Sequence, residues 1–119
     1  MATDPESLKK YMLAKPGTAC GYPFGKGALV FKVRGKMFAL IGEEEPLSMN
    51  LKCDPEDALA LRAQYKAIVA GYHMNKSHWN TLYLNGSVPE RLVYELIDHS
   101  YHLVVNKLPK ADRDHLSTS

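Results

Sequence analysis

The chain is poor in cysteine, with only Cys20 and Cys53 among 119 residues and no CxxC pair. This usage favours reduced, packed thiols over a disulfide bridge. Apolar runs are also short, and none approaches the ~20 residues of a membrane span. The first ten residues, MATDPESLKK, lack the apolar segment of a signal peptide. Together these absences predict a cytoplasmic protein that does not enter a membrane.

Motifs for common enzyme chemistry are missing as well. The sequence has no P-loop and no G-x-S-x-G elbow, and the glycines at 17, 21, 25 and 27 miss the dinucleotide spacing. Asp98, His99 and Ser100 are adjacent, and neighbours on a helix point about 100° apart, so they cannot converge as a triad. An alternative metal site would join His73 and His78 to Asp98 or His102, but hydrogen-bonded structural histidines are the preferred interpretation. We therefore predict no catalytic residue, no metal, no cofactor and no enzymatic activity.

Charge is nearly balanced overall but unevenly distributed. The net charge of +2 is too small to identify a nucleic-acid-binding protein. Residues 1–42, however, carry seven Lys or Arg against two acids, a balance of +5, whereas residues 43–57 carry six acids against Lys52, a balance of −5. Basic segments that meet on one face would create a local positive field. The alternative is an ordinary solvated surface.

Helix and strand signals alternate along the chain. Asp4-Pro5 and Asp54-Pro55 predict two helix starts, the second helix covering 55–67, and a long amphipathic helix follows Pro89 and ends at Pro109. A β-hairpin over 28–41 is predicted to turn at Arg34-Gly35. Further strands are predicted at 47–52 and 79–84, residues 68–74 are extended, and residues 19–27 form either an irregular strand or a loop.

The predicted hairpin register places Phe31 opposite Phe38 and Leu29 opposite Leu40, with Lys32 opposite Met37. The order of elements implies a single α+β domain over residues 1–110, with helices packed on an antiparallel sheet. Residues 111–119 are predicted to be a polar C-terminal tail with at most one helical turn.

Several segments carry a family resemblance in the right order. HMNKSHWN at His73–Asn80, Val88-Pro89 before the last long helix, and SYHLVVNKLP at Ser100–Pro109 resemble the MmcQ/YjbR family of small bacterial proteins. Lys15–Gly17, Tyr22–Phe24 and the hairpin also fit. The resemblance implies a frataxin/CyaY-like α+β fold and a proposed double-wing DNA-binding role.

Basic side chains give this role independent candidates. Lys32, Arg34 and Lys36 lie on the predicted hairpin, where they would contact phosphates as a wing does. A second cluster contains Lys76, His78 and Trp79, which joins a cation to a ring able to stack. No Arg, Asn or Gln set has recognition-helix spacing, so backbone contacts with little sequence specificity are expected. The alternatives are solvated hairpin lysines and a Trp79 buried in the core.

A protein-interaction role is the second hypothesis. Tyr94, Tyr101, His102 and Val105 lie off the main apolar stripe of the long helix and would form a docking patch if exposed together. The alternative is that both tyrosines flank the core with their hydroxyl groups in water. We expect a monomer or a weak homodimer whose leading function is non-enzymatic DNA binding.

Overall fold

Four helices and six strands make up residues 2–71 and 75–117, the part of the chain described by a computed structural model. The helices are α1 Pro5–Leu13, α2 Pro55–Gln64, α3 Glu90–Val105 and α4 Lys110–Ser117. The strands are β1 Thr18–Gly21, β2 Ala28–Val33, β3 Lys36–Gly42, β4 Ser48–Lys52, β5 Ile68–Ala70 and β6 Trp79–Tyr83. They form one antiparallel sheet in the order β1-β2-β3-β4-β6-β5. None of the described helices is long and apolar enough to cross a membrane.

The predicted helix starts are confirmed at atomic detail. The Asp4 carboxylate accepts the Ser7 N–H at 3.0 Å, and the Asp54 carboxylate accepts the Glu56 N–H at 3.1 Å. Each cap satisfies an amide that the first helical turn leaves unpaired. Helix α2 ends three residues before its predicted limit, because Tyr65 adopts extended backbone angles and leads the chain towards β5.

The β2–β3 turn lies where it was predicted, but the register beyond it differs. Arg34 and Gly35 have φ angles of 48° and 84°, and positive values at both positions define a type I′ hairpin turn. Lys32 pairs with Met37 as expected, whereas Phe31 pairs with Ala39, so the predicted pairing of Phe31 with Phe38 is wrong. Leu29 likewise faces Ile41 rather than Leu40. A β-bulge causes the shift, since it leaves Phe38 as an extra residue in β3.

Ser100 of α3 holds the sheet at this bulge. Its fully buried hydroxyl donates to the Phe38 carbonyl at 2.5 Å and accepts the Lys52 N–H at 2.9 Å. The side chain therefore bridges β3 and β4 and satisfies two backbone groups that the buried strands would otherwise leave unpaired. The same pair of hydrogen bonds anchors the middle of α3 to the sheet.

All four helices pack against one face of the sheet, called here the inner face. Residues from α1, α3 and α4 join inner-face residues of β2, β3, β4 and β6 in one buried cluster, and Leu61 and Tyr65 pack α2 and its C-cap against that cluster. The structure is thus a two-layer α+β domain, which confirms the predicted fold class.

The C-terminal segment is not simply a polar tail, as residues 111–119 were predicted to be. Helix α4 covers Lys110–Ser117. Its Leu116 is 9% exposed and belongs to the buried cluster, and its Asp112 pairs with Arg34 at 2.9 Å. The prediction failed because Leu116 is a lone apolar side chain in a polar segment, and only its tertiary contact makes it part of the core.

Candidate nucleic-acid interface

The second face of the sheet, which we call the open face, carries no helix among the described residues. Strand alternation assigns residues to it, because inner-face positions of the same strands are occupied by the buried cluster. On β4 and β6, Met49, Leu51 and Leu82 point inward. The open face comprises Ala19, Gly21, Ala28, Val30, Lys32, Met37, Leu40, Gly42, Ser48, Asn50, Lys52, Val69, Trp79, Thr81 and Tyr83.

Strand order brings the two predicted basic clusters to the same end of the sheet. Strand β3 starts at the hairpin turn, β4 runs antiparallel to it and ends at Lys52, and Lys52 pairs with Trp79 at the start of β6. The turn at Arg34 and the loop containing Lys76 therefore lie at one end, called the basic end. Glu43, which follows β3, lies at the opposite end with the next two glutamates.

The six predicted contact residues differ in their environment. Lys32 and Lys36 are exposed, as is Lys76. Arg34 is engaged in the structure, since its Nη2 and Nε atoms donate to Asp112 Oδ1 at 2.9 and 3.1 Å. Its charge is consequently matched within the protein, and it is the weakest of the predicted phosphate contacts.

The loop that carries Lys76 and His78 is held in place by neighbouring elements. Arg62 of α2 donates from Nη2 to the Lys76 carbonyl at 2.9 Å. The Asn75 side chain accepts the Ser77 N–H at 3.0 Å, and the half-buried His78 accepts the Cys53 N–H on its carbonyl at 2.8 Å. These bonds use the backbone and leave the Lys76 ammonium group in solvent.

Trp79 is neither fully buried nor fully exposed. It is half-buried on the open face, next to Gly71, where an added Cβ would lie 2.8 Å from the Trp79 Cβ. The amide of Gly71 donates to the Trp79 carbonyl at 2.8 Å, so close backbone pairing requires a small residue there. The alternative of a Trp79 buried in the core does not hold, because Trp79 lies outside the buried cluster.

Acidic side chains are segregated from the sheet. None of the six strands contains Asp or Glu, and their charged residues are Lys32, Lys36 and Lys52. The acids nearest the basic end lie on the helical layer, where Asp112 pairs with Arg34 and Asp54 caps α2. A positive potential over the open face follows from this distribution.

Sequence reasoning missed Lys52 as a site residue. It completes a row across the open face in which Lys32 pairs with Met37 and Lys52 pairs with Trp79. Burial, with a smaller effect of the nearby Lys107 charge, lowers the pKa of Lys52. The alternating pattern of β4 marks this face, but only the strand order shows that its neighbours are basic and aromatic.

The predicted docking patch on α3 is not present. Tyr94 and Tyr101 are 6% and 7% exposed, and both belong to the buried cluster. Their hydroxyl groups donate to the carbonyls of Ala2 and Pro16, respectively, so they are not in water either. With Val105 half-buried, His102 is the one exposed member of the predicted set.

The residues considered for catalysis or metal binding each contact a different partner. Asp98 Oδ1 accepts from Lys15 Nζ at 2.6 Å, His99 lies 4.0 Å from Asp57, and Ser100 bonds the sheet. Within residues 2–71 and 75–117, no group of three or more His, Cys, Asp or Glu side chains could hold a metal ion. His73 lies outside the described residues.

Both cysteines are free, as predicted. Cys53 is buried, and this burial raises the pKa of its thiol to about 11. A thiol with such a pKa is a weak nucleophile at neutral pH. Cys53 is thus a packing residue at the end of β4.

These features define a small two-layer α+β protein whose second sheet face carries no helix among the described residues and has Lys32 and Lys52 as its charged residues. The YjbR family model matches residues 13–103. A protein of Escherichia coli (strain K12) described as uncharacterized protein YjbR is 39% identical over 107 residues, 89% of this chain and 91% of that protein. Uncharacterized protein YbdF of Escherichia coli O157:H7 is 39% identical over 109 residues, 91% and 89% of the two chains.

Structural similarity agrees with the sequence match. The crystal structure of Deinococcus radiodurans protein DR2400, described as a DUF419 domain, superposes with a TM-score of 0.89 at 39% identity. The alignment covers 94% of this chain and 86% of DR2400. The chain therefore belongs to the YjbR family.

Proposed function

We propose that the protein is a non-enzymatic DNA-binding protein of the cytoplasm that contacts the phosphate backbone through the basic end of the sheet. The observation that carries the proposal is the convergence of Lys32, Lys36 and Lys76 at one end of the sheet. Lys32 and Lys36 come from the β2–β3 hairpin and Lys76 from a distant segment, and the strand order brings the two together.

The charges at this end support backbone contacts rather than base reading. Lysine ammonium groups act as point charges on phosphates and carry little sequence information. The hairpin ends in a tight type I′ turn beside Lys36, a backbone shape that suits a narrow wing. Two free cysteines also agree with a reducing compartment.

Fluorescence anisotropy with a labelled DNA duplex tests the proposal. Binding at about 50 mM salt should weaken many-fold at about 200 mM, because counterions are released when phosphates are neutralised. Reversing two charges with Lys36→Glu and Lys76→Glu should reduce affinity at least ~10-fold and lower the salt slope by about 2.

A matched variant controls for net charge. Lys26→Glu and Lys66→Glu change the same total charge at exposed positions next to the opposite end of the sheet. This variant should stay within about 3-fold of the parent protein, since phosphate contacts act at short range. Absence of duplex binding at the lower salt, or equal losses for both double variants, would reject the basic end as the site.

A further inference from the structure

The open face combines apolar, aromatic and cationic groups without any acid. Trp79 and Tyr83 belong to it, Tyr83 is 36% exposed, and Lys32 and Lys52 are its only charged residues. A surface of this composition is complementary to a ligand that is anionic and also presents flat apolar rings.

The basic and aromatic groups lie in a staggered row of two cross-strand pairs, because β4 pairs Leu51 with Ala39 and Lys52 is the next residue along. The pairs Lys32–Met37 and Lys52–Trp79 are adjacent along the strand order β2-β3-β4-β6. With neighbouring strands about 4.8 Å apart, the row is roughly 14 Å long. This length accommodates a short stretch of a nucleic-acid strand.

Duplex DNA cannot use the indole in this position. Bases in a duplex cover one another's faces, so a ring on a broad sheet can stack only on bases that are unpaired and splayed out. In contrast, single strands are bound by lysines that follow the backbone and by aromatic rings that stack on successive bases.

Polar groups on the face fit the same ligand. The Thr81 hydroxyl donates to the Asn50 Oδ1 atom in the centre of the open face. This bond orients the Asn50 side chain and leaves its amide N–H₂ group as a donor for a base edge or a phosphate.

We infer that the open face binds single-stranded nucleic acid, with Trp79 as the stacking platform and Lys32 and Lys52 as phosphate contacts. The inference deepens the proposed function by naming the strand state of the ligand and a second part of the sheet. It rests on that function only in taking nucleic acid as the ligand.

Trp79 is the only tryptophan, so its own fluorescence reports on the site. Titration with an oligo(dT) of about 12 nucleotides should quench the emission to saturation, and a duplex of equal length should not. Trp79→Leu should weaken anisotropy-detected oligo(dT) binding about 5- to 150-fold, the range for one stacked base, whereas Trp79→Phe retains most of it.

The lysines provide a second test that does not alter the half-buried indole. Lys32→Ser with Lys52→Ser should lower oligo(dT) affinity at least ~5-fold, because a single strand loses two phosphate contacts. Lys26→Ser with Lys66→Ser is the matched control at the opposite end and should change it less than about 2-fold.

The outcomes separate this inference from the proposed function. Duplex binding that depends on Lys36 and Lys76, with no oligo(dT) quenching, would overturn the inference and leave the proposed function standing. Loss of binding to both nucleic acids would reject both. Oligo(dT) binding that is unchanged by the substitutions of Trp79, Lys32 and Lys52 would place the binding site outside the open face. Sedimentation that shows a dimer broken by Trp79→Leu would assign the open face to a second copy.

Discussion

At the scale of single residues, Asp98 on α3 is the centre of a partly buried polar network. Its Oδ1 atom accepts from Lys15 Nζ at 2.6 Å and from the Tyr11 hydroxyl at 2.7 Å. The Lys15 ammonium also lies 4.9 and 5.1 Å from the ring centroids of Tyr11 and Tyr101, within cation–π range. These contacts join α1 and the segment after it to α3, so the network has a structural role in fastening the N-terminal helix.

Asp98→Asn should destabilise the protein because it removes the charge from a partly buried network. We expect the free energy of unfolding to fall by about 1–2 kcal/mol in urea denaturation, a value reduced for the exposure of the carboxylate. Glu95→Gln, which removes the acid of an exposed pair with Arg91 on the same helix, should cost less than about 0.5 kcal/mol. Equal losses of unfolding free energy in Asp98→Asn and Glu95→Gln would show that the Asp98 network stabilises the protein no more than an exposed ion pair does.

The same network gives the stability a pH dependence at both extremes. Burial alone would raise the pKa of Asp98, but hydrogen bonds from Lys15 and Tyr11 outweigh it and lower that pKa below its usual 3.8. Its contribution is thus present above pH 3.8 and lost as pH falls through the lower folded value. The hydrogen bond to Asp98 raises the pKa of Tyr11 from 10.0 to about 12, so stability is lost between those values as pH rises. Asp98→Asn should weaken both dependences in denaturation measured across pH.

At the scale of helices and strands, α4 docks on the sheet end through a buried leucine and an ion pair. Leu116 packs so closely on Gly17 that an added Cβ there would lie 2.3 Å from Leu116 Cδ2, and Gly17 has a φ of +73°. The Arg34–Asp112 pair also links α4 to the sheet end. Because this ion pair is partly exposed, Leu116 is expected to provide most of the docking energy.

Leu116→Ala should therefore release α4 from the sheet end. Truncating a buried leucine costs about 2 kcal/mol at the low end of the observed range, which suits a side chain near the surface. Circular dichroism should also show a loss of helix content equivalent to α4. Lys110→Ala, at an exposed position of the same helix, should leave both quantities within error. Unchanged helix content in Leu116→Ala would mean that α4 stays docked without its apolar anchor.

Local signals account for the elements that the sequence predicted correctly. The Asp-Pro helix starts and the Arg34-Gly35 turn depend on backbone preferences of neighbouring residues, which are visible in any one segment. The carbonyl at the Phe38 bulge accepts a hydrogen bond from Ser100, which is 62 positions away, and the Tyr101 hydroxyl donates to a partner 85 positions away. The register of the hairpin and the burial of the tyrosines therefore could not be predicted from the sequence pattern.

The candidate site likewise contains some residues that the sequence could identify and others that it could not. Lysine at the hairpin and in the loop before β6 could be chosen from the sequence, because turns are exposed. Their shared end of the sheet follows from β6 inserting between β4 and β5, a crossover that no local signal encodes. Lys52 was missed because only its neighbours on other strands make it a candidate contact residue.

At the scale of the whole molecule, a single buried cluster reaches every helix, directly or through partly buried side chains. It contains Leu8 and Met12 of α1, Ile97 of α3 and Leu116 of α4, with Leu61 of α2 packed against it. A continuous core of this kind couples α1, α2, α3 and the sheet, so that none of these can unfold at low cost while the others remain, whereas α4 reaches the core through Leu116.

Unfolding of the whole chain should accordingly be a single cooperative transition. Two probes sample different layers of the molecule: fluorescence of Trp79 reports on the sheet, and far-ultraviolet circular dichroism is dominated by the helices. Their urea midpoints should coincide within error, because helices and sheet share one core. Leu116→Ala tests the coupling further, since it should lower both midpoints together if the remaining fold stays cooperative. A helical signal that is lost at lower urea than the Trp79 signal would show instead that the helical layer is a separate unit of stability resting on an independently folded sheet.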